Sequence, residues 1–79
     1  MRLSNEFLQD LELLSLFSLD SALEGLKVHQ DAAPEKIAAA KRLFEMKLIT
    51  REDGGYLTTL GIEAAEHTHA LVRILHSGQ

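Results

Sequence analysis

Seventy-nine residues, 46% of them hydrophobic, only 5% aromatic and none cysteine, leave room for one small core and exclude disulfide staples and thiolate metal sites. The net charge of −4 opposes tight nonspecific attachment to a polyanion. No apolar run approaches the roughly 18 to 20 residues of a membrane span, and the acidic turn of the first residues lacks a signal-peptide core, so a single cytoplasmic domain over 1–79 is expected.

Fifteen leucines and no tryptophan read as aliphatic helix packing. A chain this short, lacking a disulfide, gains from a second copy, and a homodimer is expected. Charge is unevenly spread. Residues 1–26 sum to −4 and 52–79 to −3, whereas 27–51 hold Lys27, Lys36, Lys41, Arg42, Lys47 and Arg51 against Asp31, Glu35 and Glu45, a local +3.

In chain order, Leu3, Phe7, Leu8, Leu11 and Leu14 recur at three- and four-residue spacing behind Ser4 or Asn5 as cap, predicting a first amphipathic helix. Leu13, Leu16, Phe17 and Leu19 add apolar surface beyond that stripe. Ser18 or Asp20 can restart the chain as a short helix through Ala22 and Leu23, and Ser21 with Glu24 has capping-box spacing. Gly25 suits its end, after which Leu26-Lys27-Val28-His29 alternates as a short strand does.

Ala33-Pro34-Glu35 fits a helix start, since proline at the first helical position gives up an amide that has no partner anyway. Ile37, Ala40, Leu43, Phe44 and Leu48 then share one face. A 100° step turns Glu35, Ala38, Ala39, Arg42, Glu45 and Met46 to solvent. Leu48-Ile49-Thr50-Arg51 and Tyr56-Leu57-Thr58 flank Glu52-Asp53-Gly54-Gly55, which predicts a hairpin. Thr58 or Thr59 caps a last helix with a core stripe of Leu60, Ala64, Leu71 and Leu75. The fold class is mainly α with a β component: three to four helices, a hairpin in the C-terminal half and room for a short third strand.

From Ala38 to His67, the run Arg42-Leu43, Leu48-Ile49-Thr50, Asp53-Gly54-Gly55-Tyr56-Leu57-Thr58, Gly61 and Glu63-Ala64-Ala65 resembles the winged-helix superfamily, in the order recognition helix, strand, wing, strand, following helix. More narrowly, the whole chain is similar to a small family of uncharacterised bacterial proteins described as DNA-binding proteins or transcriptional regulators. The resemblance implies a winged-helix-like fold and a DNA-binding accessory regulator. It departs where a first helix of the reader should stand, because Leu26 to Ala33 is short.

On that reading, Arg42 contacts a guanine edge while Lys36, Lys41, Lys47 and Arg51 reach phosphates of duplex DNA, against repulsion from Glu35, Glu45, Glu52 and Asp53. The alternative is a protein-interaction module of the same shape. Ala38, Ala39 and Met46 suit a closely approaching helix, and Leu13, Leu16 and Phe17 supply surplus apolar surface for a partner.

No metal or other cofactor is expected. Glu63 and His67 stand one turn apart, but His67 and His69 lie about 200° apart around the helix and His69 to His76 spans two turns, so three ligands do not converge. Catalysis is not expected either: no cysteine nucleophile, glycine-flanked serine or phosphate-cradling loop occurs, and so short a chain has little room to desolvate a substrate.

Overall fold

Ser4 has extended backbone and its hydroxyl accepts from the Phe7 N–H at 3.1 Å, starting helix α1 (Asn5–Leu16). The computed structural model describes residues 3–20 and 24–78. After α1 come strand β1 (Leu26–Lys27), helix α2 (Pro34–Glu45), strands β2 (Ile49–Arg51) and β3 (Gly54–Leu57), and helix α3 (Thr59–Ser77). The strands form one antiparallel sheet in the order β1-β3-β2. The architecture is thus mostly helical with a small sheet; the expected short helix through Ala22 and Leu23, with its Ser21 cap, lies outside the described residues.

Helix α2 begins with Pro34 at its first position and no side-chain cap, as the missing proline amide permits. Its C-terminus is closed by two bonds, Leu48 N–H to the Leu43 carbonyl and Lys47 N–H to the Phe44 carbonyl, both 2.9 Å. This is the Schellman arrangement, and it requires a left-handed residue where Lys47 stands with φ +64°. The chain thereby reverses sharply into β2, ending α2 at Glu45 rather than carrying it to Leu48.

The hairpin is tighter than its composition suggests. Glu52 and Asp53 form the turn, and both glycines belong to β3. Ile49 faces Leu57 and Arg51 faces Gly54, so Gly55 and Tyr56 together oppose Thr50 in a bulge. The Thr50 hydroxyl accepts from the Tyr56 N–H at 3.0 Å, satisfying a donor that the bulge removes from the ladder. Gly54, with φ +122°, lies so close to β1 that a Cβ would strike the Leu26 carbonyl. Glycine here lets the third strand add to the hairpin.

Thr58 ties the last helix down. Its hydroxyl accepts from the Gly61 N–H at 3.0 Å and donates to the Lys47 carbonyl at 2.7 Å, while its own N–H reaches the Leu48 carbonyl at 3.0 Å. Gly61 sits against that carbonyl with no space for a side chain.

Leu13, Leu14, Phe17, Val28, Ala39, Ala40, Leu43 and Ile49 form the core. Leu14, Ala40, Leu43 and Ala64 of the expected stripes reach the core, but each helix is rotated from the expected orientation. In α2 the buried residues are Ala39, Ala40 and Leu43, while Ile37 and Phe44 are exposed. In α3 they are Gly61, Ala65 and Thr68, and Leu60, Leu71 and Leu75 are exposed. Leu3, Phe7 and Leu8 of the first stripe are exposed, whereas Leu13 and Phe17 are buried.

Small side chains explain the rotation: Ala39, Ala40, Gly61 and Ala65 let neighbouring segments approach closely, so the core follows backbone proximity rather than the largest residues. Leu13, Phe17 and Ala39, expected at a protein interface, are therefore core residues instead, leaving Leu16, Ala38 and Met46 of that set exposed.

Candidate functional site

The outward surface of α2 and the adjoining hairpin carry three of the six basic residues of the central segment. Lys41 lies on the exposed face of α2 between Ala38 and Glu45, Lys47 stands at its C-terminal cap, and Arg51 ends β2; all three are exposed and make no ion pair among the described residues. Lys36 is half-buried on the flank of α2 turned to α1, where it lines a groove with Glu12 and Leu13. It is set apart from the other three.

Arg42 points the other way. Its Nε donates to Asp10 Oδ1 at 2.9 Å, Nη2 ion-pairs with the same oxygen at 2.9 Å and donates to the Glu6 carbonyl at 3.3 Å, and Nη1 lies 3.6 Å from the Glu6 carboxylate. With the Arg42 side chain 26% exposed and that of Asp10 18% exposed, this is a half-buried link between α1 and α2. The Asp10 hydrogen bond holds the guanidinium pKa above its ordinary value, against partial desolvation. The expected solvent-facing Arg42 is corrected: the α2 rotation turns it toward α1, and reading a base edge would break these bonds.

A second cation is likewise engaged. Lys27 on β1 hydrogen-bonds and ion-pairs with Asp53 at the hairpin turn. The nearby ammonium and its hydrogen bond hold the Asp53 carboxyl below its ordinary pKa. The pair joins the edge strand to the turn.

Between α2 and the turn runs a groove of about 330 Å³ lined by Val28, His29, Ile37, Lys41, Glu52 and Asp53, among others. Its lining is chiefly apolar, from Val28 and Ile37, and its rim carries both signs of charge. Asp10, Val28 and Ile37 were missed as site-shaping residues by the sequence reading. A signal for Asp10 existed in the acid on α1 facing a basic central segment, but pairing across two helices requires their relative rotation.

Among the described residues no cluster of three His, Asp or Glu side chains could hold a metal ion, and no helix is long and apolar enough to cross a membrane. Between β1 and β2 there is one helix only; Val28 to Ala33 form a loop held by Ala32 N–H to the His29 carbonyl at 3.0 Å. No curated protein and no solved structure matches the chain. A family model matches residues 1–76, and the chain belongs to that family, described as a family of unknown function (DUF5669).

Proposed function

From membership of a family with no assigned function, we propose that the chain is a winged-helix-shaped interaction module whose α2 and hairpin face contacts a partner protein. The shape is supported by the order helix, strand, helix, hairpin, helix, with β1 pairing to the second strand of the hairpin. The use is carried by one observation. Arg42 is committed to Asp10 and Glu6, which leaves an apolar groove rimmed by Lys41 and Glu52, with Asp53 held by Lys27 and with Glu45 on the same helix as Lys41 and Lys47 close after its end.

Such a surface suits a short apolar segment of a partner, with Ile37 and Val28 receiving side chains and Lys41 and Glu52 orienting them. A DNA-reading face would instead present base-contacting polar groups and an excess of cations. Neither catalysis nor a cofactor is part of this reading.

The second reading is weak duplex binding by an accessory regulator, favoured by the exposure of Lys41, Lys47 and Arg51 beside the hairpin. Three phosphate contacts give a salt slope near −2.7, so affinity falls roughly 40-fold between about 50 and 200 mM salt.

Both are tested by selecting peptides from a random library and titrating random duplex DNA at those two salts. On the leading reading, selected peptides lose binding on Ile37→Glu and keep it in Lys47→Ala/Arg51→Ala, whereas duplex contact would need all three cations and be lost in Lys41→Ala/Lys47→Ala/Arg51→Ala. Salt-steep duplex binding that the triple variant abolishes, with no peptide recovered, overturns it in favour of DNA.

A further inference from the structure

We infer that α3 pairs antiparallel with the α3 of a second copy, through an exposed stripe that borders the core at Ala64 and lies apart from the α2–hairpin face. The helix carries two apolar stripes. One, through Gly61, Ala65 and Thr68, is buried against the body. The other runs through Leu60, Ala64, His67, Leu71 and Ile74, alternating four- and three-residue steps, which is the seam spacing of a coiled coil.

This second stripe is open. Leu60 is 53% exposed, Leu71 49%, Ile74 59% and the adjoining Leu75 60%. At 19 residues, the helix is about 28 Å long, enough for a seam of several turns.

The total surface of the chain leaves area enough for such an interface. A monomeric protein of 8.8 kDa is expected to expose about 4,800 Å², whereas this chain exposes 5878 Å². The excess, roughly 1,100 Å², exceeds the ~800 Å² that each partner buries in an interface of standard size. An isologous dimer uses the same patch on both copies and closes on itself, so it covers the stripe completely.

Helix dipoles select the orientation. Antiparallel pairing opposes the dipoles of the two helices, whereas parallel pairing aligns them. With the two-fold axis at His67, Leu60 meets the partner's Ile74 and Ala64 meets the partner's Leu71. The small Ala64 then accommodates the larger leucine, and His67 lies against its symmetry mate as a polar residue fixing register.

The chain has no cysteine of its own, so single introduced cysteines report the pairing directly. Identical positions at 60, or at 74, stand about 21 Å apart in the antiparallel dimer, beyond the ~7 Å limit for Cα atoms of a disulfide. His67→Cys is therefore expected to cross-link under mild oxidation, while Leu60→Cys and Ile74→Cys alone do not. Cross-linking of all three indicates parallel pairing and overturns the orientation.

Sedimentation at micromolar concentration gives the mass. The wild type is expected as a dimer, with Leu71→Glu/Ile74→Glu monomeric and folded by circular dichroism, since both residues are exposed. A monomeric wild type at 100 μM, or a dimer that persists in the double variant, overturns the inference.

Discussion

Lys47 occupies a backbone conformation that glycine adopts without penalty, and among the described residues its side chain makes no hydrogen bond or ion pair that offsets the strain. Left-handed φ costs a residue with a Cβ about 1–2 kcal/mol, part of which glycine returns through the greater freedom of its unfolded chain. Lys47→Gly is expected to stabilise the fold by about 0.5–1 kcal/mol, which appears as a raised midpoint in thermal unfolding. A lowered midpoint contradicts the Schellman assignment.

Asp53 belongs to the same scale. Its pKa is depressed by Lys27, so the small stability it contributes is present above the ordinary carboxylate pKa and is lost as pH falls through the folded value. Lys27→Met is expected to return the Asp53 titration, followed by NMR, toward the usual aspartate range. An unchanged titration removes the pair as its cause.

Between elements, the contact that organises the molecule is α1 against α2. Asp10 and Arg42 are only partly exposed and doubly bonded, so Arg42→Ala leaves a carboxylate poorly solvated. The loss is expected at about 1–2 kcal/mol, measured by urea unfolding, with no change in contacts made by the outward face of α2. Ala39, fully buried, is a poor place to probe that face, because Ala39→Leu overpacks the α2 core face and is expected to cost about 1–3 kcal/mol. Ala38 and Ile37 are the informative positions.

The elements legible in the sequence were those with local signals. Ser4 and Thr58 mark helix starts by capping, Pro34 marks another, and Gly54-Gly55 between β-prone runs marks the hairpin. Leu26-Lys27 was legible as a strand from its alternation. What periodicity did not supply was helix rotation: Ile37, Phe44, Leu60 and Leu71 outweigh Ala39, Gly61 and Ala65 in any tally of hydrophobicity. Close packing instead rewarded the small residues that let backbones meet. Arg42 was misread for the same reason, since a rotation of roughly 60° moves a side chain from solvent to a neighbouring helix.

At the scale of the whole molecule, the described residues enclose a small core and expose, among other surface, the mixed-charge groove beside α2 and the leucine stripe of α3. A dimer through the stripe leaves both grooves available, which makes the assembly bivalent toward whatever the groove takes. The +3 of the central segment, which pointed to duplex DNA, is partly consumed internally, by Asp10 and Glu6 on Arg42 and by Asp53 on Lys27.

The most direct test of that account is an NMR titration of the labelled protein with random duplex DNA at about 50 mM salt. The account predicts that the amides of Lys41, Lys47 and Arg51 move no more than those of α1. Saturable shifts confined to α2 and the hairpin, reversed by raising the salt to about 200 mM, would contradict it and assign the face to phosphate contact.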